Sequence, residues 1–305
     1  MALLPLYVLA VFVLAGLLNY PLWRLLQSLG AELPLHKSTL LCLQLVSLLL
    51  LVPLHRWLGL SLFESWGLSR PRAALGQPGG RLVGVRARLW LVASGFALGA
   101  SMLAGVAMVL LLLEVRVPRL GLGQGKLSTG AILWLAVHTA LGVALLEELW
   151  YRGGLQGAAS AMVGPRAALV LVALLYAGAH FIRADVPVPD EQIGPWSGFT
   201  VIGTLFGRFQ SPAILDSGAT LVLAGLLLGL QRVRDGCIWR CVGTHMGWVF
   251  VIQALRKSTD LNPQASLVWV VGRYDQVIGE LASVVFAVVL LSMWLRGRRA
   301  AASCA

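Results

Sequence analysis

Residues 132–152 read ILWLAVHTALGVALLEELWYR. From Ile132 to Leu146 almost nothing is polar, and then Glu147, Glu148 and Arg152 arrive together. The pattern predicts a helix over roughly 129–160 that crosses a bilayer with charge inside it. An acidic residue near the centre of a spanning helix costs about 2.5–3.5 kcal/mol on the insertion scale, so two of them and an arginine require partners or water. Glu148 and Arg152, one turn apart, can pair on one face. Glu147 points roughly 100° away around the helix and has no such partner. It is the first candidate for function.

The rest of the chain agrees with a membrane setting. Of 305 residues, 58% are hydrophobic and 12% charged, and the mean hydropathy is +0.82. So little charge cannot coat a water-facing surface, whereas a hydrocarbon zone requires none. Apolar runs predict an all-α, polytopic integral membrane protein of about eight transmembrane helices with an intramembrane active site. The helices fall at roughly 3–26, 38–58, 89–114, 129–160, 166–183, 213–231, 238–256 and 275–295. Trp23, Trp57, Trp90, Trp239 and Trp294 lie near the ends of these runs, where an indole prefers the interface. Residues 61–88 read as a loop with a segment lying on the headgroups, and 184–212 as a polar, Pro- and Gly-bearing connection.

The net charge of +11 does not indicate nucleic acid, because Arg70, Arg72, Arg81, Arg86 and Arg88 sit between apolar runs and form no basic face. They suit anionic lipid headgroups and topology control, so the bilayer is the expected partner. Cys42, Cys237, Cys241 and Cys304 include no CxxC pair and no histidine at zinc spacing. The first apolar run lacks a basic leading segment and a cleavage site, and reads as a retained helix. Lysine and arginine are modestly more frequent on the side that carries both termini, which favours cytoplasmic termini. Arginine in place of lysine hints at a bacterial source, hence a multi-pass protein of the bacterial inner membrane.

Two histidines are candidate partners for Glu147. Gly164–Pro165 marks a helix stop and start, with Glu147 17 residues before Gly164 and His180 16 after it. On adjacent antiparallel helices both stand about 25 Å from the turn, at one depth. His245 lies inside a later helix between Gly243 and Gly247, whose size allows close helix approach. His138 and Glu280 stand alone, and His36 and His55 belong to helix ends; structural roles are expected for all four. A glutamate and two histidines can hydrolyse an amide: a carboxylate takes a proton from water, a histidine orients that water, and a donor stabilises the oxyanion. They are also a zinc set, although no HExxH is present and the ligands would come from three helices.

Glu147-Glu148-x-x-x-Arg152, Tyr176-x-x-x-His180 and His245-Met246-Gly247-Trp248 resemble, in order and spacing, the three motifs of the CPBP family. These are the CAAX-protease and bacteriocin-processing intramembrane endopeptidases, also called the Abi family. The resemblance implies that Glu147 and His180 activate water, that His245 helps form the oxyanion hole, and that Glu148 and Arg152 support the site. It implies no cofactor, with a divalent metal such as zinc as the alternative, and a membrane-associated protein or peptide as substrate. It divides the chain into N-terminal helices with the interfacial loop (1–128), a catalytic core (129–256), and a last helix with a basic tail (257–305). The sequence departs from the family twice. Tyr176 stands where Phe is usual, and Val249 stands where Asn or Asp usually follows the third-motif histidine by four residues. Loss of an oxyanion donor costs about 10²–10³ in rate, so another group such as Gln253 would have to substitute. The competing readings are a non-catalytic immunity factor or scaffold, which Val249 supports, and a transporter relaying protons through Glu147, His180 and Glu280.

Overall fold

The computed structural model describes residues 3–69, 80–119, 128–184, 186–210 and 213–302. It is mostly helical. The helices are α1 (Leu3–Ser28), α2 (Leu35–Trp57), the single turn α3 (Leu62–Ser65), α4 (Gly80–Leu112), α5 (Thr129–Glu148), α6 (Gln156–Val163), α7 (Pro165–Ala179), α8 (Ser197–Thr204), α9 (Ala213–Asp235), α10 (Trp239–Ser258) and α11 (Glu280–Ala302). Two short strands, β1 (Arg116–Pro118) and β2 (Thr259–Leu261), pair antiparallel with Arg116 opposite Leu261.

Among the described residues, four helices are long and apolar enough to cross a bilayer: Leu3–Ser28, Leu35–Trp57, Gly84–Leu112 and Thr129–Val163. Pro165–Ala179 is apolar but shorter. The expected count of eight is therefore not reached on length and composition. The physical reason is clearest for α10, which packs against α4, α5 and α9. A helix enclosed by other helices has no need of an apolar surface all round.

Small residues set the closest contacts. Gly95 and Gly99 of α4 meet the backbone of Arg240 and Thr244, while Gly243 and Gly247 of α10 meet the backbone of Val92, Phe96, Gly99 and Ala100, so the two backbones touch where side chains would otherwise stand. A Cβ on Gly247 would lie 2.5 Å from the Ala100 nitrogen, and one on Gly243 would strike the Val92 carbonyl. With no hydrophobic driving force inside lipid, such approach is what lets dispersion hold two helices together. The close approach expected of Gly243 and Gly247 is thus realised, with a matching glycine pair on the partner helix.

Contacts also fix helix directions. Residues 95 and 99 meet 240 and 244 in the same order, so α4 and α10 run parallel. Gly225 meets Ala173 and Gly229 meets Leu169, so α7 and α9 run antiparallel. Thr220 bonds Ser283 while Arg234 bonds the Met293 carbonyl, so α9 and α11 run parallel. In the α1–α2 hairpin, Asn19 receives a hydrogen bond from Ser38 (2.7 Å) and gives one to Thr39 (2.8 Å), all three buried.

Several expected boundaries move. The helix expected over 89–114 begins at Gly80, because extending a helix already docked along α10 requires no new nucleation. The loop and interfacial segment expected over 61–88 is described only at its edges, since residues 70–79, with Arg70 and Arg72, lie outside the described residues, as does Cys304. The 184–212 connection contains α8, which lies on α1 where Gly198 meets the Gly16 carbonyl. The helix expected over 129–160 is interrupted: Leu149–Leu155 is π-helix. The last helix starts at Glu280, and residues 271–279 form an ordered loop instead.

Candidate active site

The site is assembled where α5, α7 and α10 come together. Gly164, at φ 80°, and Pro165 at the first position of α7 reverse the chain between α6 and α7. That reversal brings Glu147 and His180 face to face, with 3.9 Å between Glu147 Oε2 and His180 Nε2. From α10, His245 Nε2 approaches the same Oε2, again at 3.9 Å. The three residues on which the sequence reading centred are therefore adjacent in space. Among the described residues, nothing donates a hydrogen bond to Glu147 Oε2, although this atom is buried.

Each imidazole is held by its other nitrogen. His180 Nδ1 lies 2.8 Å from the Tyr176 carbonyl one turn earlier. A carbonyl can only accept, so Nδ1 carries the proton and the neutral ring presents an accepting Nε2 to the site. His245 Nδ1 lies 2.9 Å from Glu148 Oε1. The same carboxylate receives Arg152 Nη1 at 3.2 Å, and Glu148 and Arg152 are both fully buried. The ion pair expected at this spacing is present, and it also aims His245. With Nδ1–H given to Glu148, His245 turns its Nε2 toward Glu147, and that nitrogen donates when the ring carries a second proton.

The π-helical turn places Arg152 for this task. Such turns recur at functional sites, because one extra residue per turn redirects the side chains that follow. Here Arg152 Nη2 reaches the Gly225 carbonyl of α9 at 3.4 Å, and its guanidinium covers the Tyr176 ring at 4.3 Å. Tyr176 in turn meets His180 edge-on, with centroids 4.5 Å apart. Tyr176 in place of Phe thus keeps the ring face that both groups use.

Not every expected partner joins the cluster. Val249 is half-buried and brings no donor, and Gln253 makes no hydrogen bond to the cluster among the described residues. Glu280 is exposed in the first turn of α11 and joins no ion pair with Glu147 or His180 among the described residues. His138 lies tilted against Trp134 and is bonded to its carbonyl, His55 is bonded to the Leu51 carbonyl near the end of α2, and neither joins the cluster. His36 lies in the first turn of α2 and so belongs to a helix end, as expected. One neighbour was not foreseen. Tyr274, from the loop before α11, meets His180 with centroids 5.9 Å apart. Its signal in the sequence is the turn chemistry of Gly272, Asp275 and Gly279, which argues against a helix beginning at 275.

As a metal centre the cluster is loose. Ligands around tetrahedral zinc stand about 3.4 Å apart, closer than the 3.9 Å here. Among the described residues no group of three or more His, Cys, Asp or Glu is arranged to hold a metal ion.

Residues 129–251 match the family model described as type II CAAX prenyl endopeptidase Rce1-like. This core is Rce1-like. No curated protein and no solved structure matches the chain. The Rce1-like segment contains Glu147, Glu148, Arg152, His180, His245 and Val249, and stops short of Tyr274. The family is one of membrane endopeptidases, as the resemblance of the three motifs implied, and the chain is an integral membrane protein.

Proposed function

We propose that the chain is a glutamate-dependent intramembrane endopeptidase that cleaves a peptide bond near the end of a membrane-associated protein. The observation that carries this is Glu147 Oε2, buried without a donor among the described residues and 3.9 Å from the Nε2 of both His180 and His245. One water oxygen between Oε2 and the accepting Nε2 of His180 lies about 2.8 Å from each. Glu147 takes a proton from that water as its oxygen bonds to the scissile carbonyl carbon. The carbonyl oxygen gains the electron pair and is stabilised by a hydrogen bond from His245 Nε2, with Glu148 and Arg152 behind it. Collapse breaks the C–N bond, and the amine leaves with the proton returned from Glu147. The products are a carboxylic acid and an amine, which exchange the remaining proton on release; no cofactor takes part in this scheme.

Eight passes complete the proposal. Eight alternating spans require α4 parallel to α10, α7 antiparallel to α9 and α9 parallel to α11, and the contacts agree with all three; β1 and β2 pair at the end of the bundle that α4 and α10 both reach. With cytoplasmic termini in a bacterial inner membrane, the site lies nearer the extracytoplasmic face. This suits removal of a C-terminal sorting tail; a prenylated CAAX end would favour the opposite orientation. Val249 favours a second reading, a scaffold that keeps the fold without catalysis. Incubation of the purified protein in liposomes with membrane-tail and prenylated peptides separates the two. The peptidase reading expects cleavage of at least one peptide by wild type and none by Glu147→Gln. Equal rescue of a deletion strain by wild type and Glu147→Gln would establish the scaffold.

A further inference from the structure

The loop between β2 and α11 is fastened more firmly than a connection requires. Asp275 is buried, and its Oδ1 accepts from the backbone N–H of Val277 (2.9 Å) and Ile278 (2.8 Å). The Gly272 N–H donates to the Ile278 carbonyl at 2.9 Å, and the Gln276 N–H to the Gly272 carbonyl at 3.0 Å. Gln276 sits at φ 62°, in the left-handed region that few residues other than glycine occupy. Outside groups tie the loop down. Thr220 Oγ1 donates to the Gly279 carbonyl (2.9 Å), Arg116 Nη1 to the Gln276 carbonyl (3.0 Å), and Asp216 Oδ2 accepts from the Arg273 N–H (3.3 Å). A strained backbone conformation persists where its surroundings over-determine it, and such sites cluster around function.

What this loop delivers is the ring of Tyr274. It meets His180 and Phe181 edge-on, each at 5.9 Å between centroids, and the Arg183 guanidinium lies 5.0 Å from its centre. His180 is thereby placed between two tyrosines. Tyr176 comes from its own helix at 4.5 Å, and Tyr274 from a loop far along the chain. The Nδ1 bond to the Tyr176 carbonyl fixes one nitrogen, and a ring packed against the imidazole limits the swing that would carry Nε2 away from Glu147.

We propose that Tyr274 is a positioning residue that keeps His180 Nε2 directed at Glu147, acting through its ring and not its hydroxyl. This rests on the reading of Glu147 and His180 as the pair that activates water.

The test compares wild type, Tyr274→Phe, Tyr274→Leu and Glu147→Gln on one cleaved reporter peptide, with kcat and KM separated. Tyr274→Phe is expected to keep kcat within about 2-fold. Tyr274→Leu is expected to lose kcat by about 10- to 100-fold with KM changed less than about 3-fold, the signature of a misplaced catalytic group. A leucine variant with wild-type kcat overturns the proposal, and so does a phenylalanine variant as slow as leucine, which would make the hydroxyl the active part. A raised KM at unchanged kcat also overturns it, in favour of substrate binding. Should Tyr274→Leu fail to fold, Thr220→Val unhooks the loop while leaving the ring; it is expected to lower kcat at constant KM, and unchanged kcat overturns the proposal. Wild type and Glu147→Gln alike in activity overturn the peptidase reading itself, a result distinct from an active leucine variant beside an inactive Glu147→Gln.

Discussion

At the scale of single residues, Glu148 joins two demands: it neutralises Arg152 and it orients His245. The two demands are separable by substitution. Arg152→Ala leaves a buried carboxylate without its cation and is expected to destabilise the protein by about 3–5 kcal/mol, read as a lowered midpoint in detergent unfolding. Glu148→Gln keeps an acceptor for His245 Nδ1 but removes the charge behind a donating Nε2. Its expected effect is a loss of about 10²-fold in kcat, with a loss of stability comparable to that of Arg152→Ala because the guanidinium is left buried without its anion. Most of this cluster was legible in the sequence, because charge inside an apolar helix is costly and depth follows from counting residues to a Gly–Pro turn. Tyr274 was not legible as a neighbour of His180. No local spacing relates a loop residue to a helix end so distant in the chain.

At the scale of elements, the α4–α10 contact is the joint on which His245 depends. Gly243→Leu is expected to force the helices apart and abolish the folded monomer on size exclusion, while Gly243→Ala costs about 1–3 kcal/mol from overpacking. The loop before α11 gives a pH-dependent test. Burial raises the Asp275 carboxyl above its ordinary range, partly opposed by its two backbone N–H donors and by Arg256 and Arg116. A raised folded-state value favours the protonated form, so this stability contribution is present in acid and lost as pH rises through that value. Asp275→Asn, which keeps the Oδ1 acceptor, is expected to raise the melting temperature at neutral pH and to change it little in acid. Equal shifts at both would contradict this. Helix positions were readable from apolar runs to within a few residues at most ends. The π turn at Leu149–Leu155 was not, because Gly153 and Gly154 fit an α-helix equally well until they meet Trp66 and Leu51. The helix α8 was hidden for a related reason: its contact with α1 depends on Gly16 and Gly198, far apart in sequence.

At the scale of the whole molecule, the proposed eight passes rest on helix directions more than on hydropathy. Enclosed helices such as α10 escape a hydropathy reading because their neighbours are protein, not lipid. Single cysteines at Gly30, Gly164, Gly236 and Asn262, on a background with the native cysteines replaced, test the eight-pass arrangement. An impermeant maleimide on intact cells is expected to label positions 30 and 262 and to spare 164 and 236; the reverse pattern would invert the protein, and a mixed pattern would reject eight passes. The central claim is narrower: Glu147 and His180 act as one unit on one water. Its most direct test is a mutant cycle of Glu147→Gln, His180→Ala and the double variant on a cleaved peptide. Each single change is expected to lower kcat by about 10²–10⁴-fold, with the double variant no slower than the slower single one. Losses that multiply in the double variant, or a single variant that retains wild-type turnover, would contradict it.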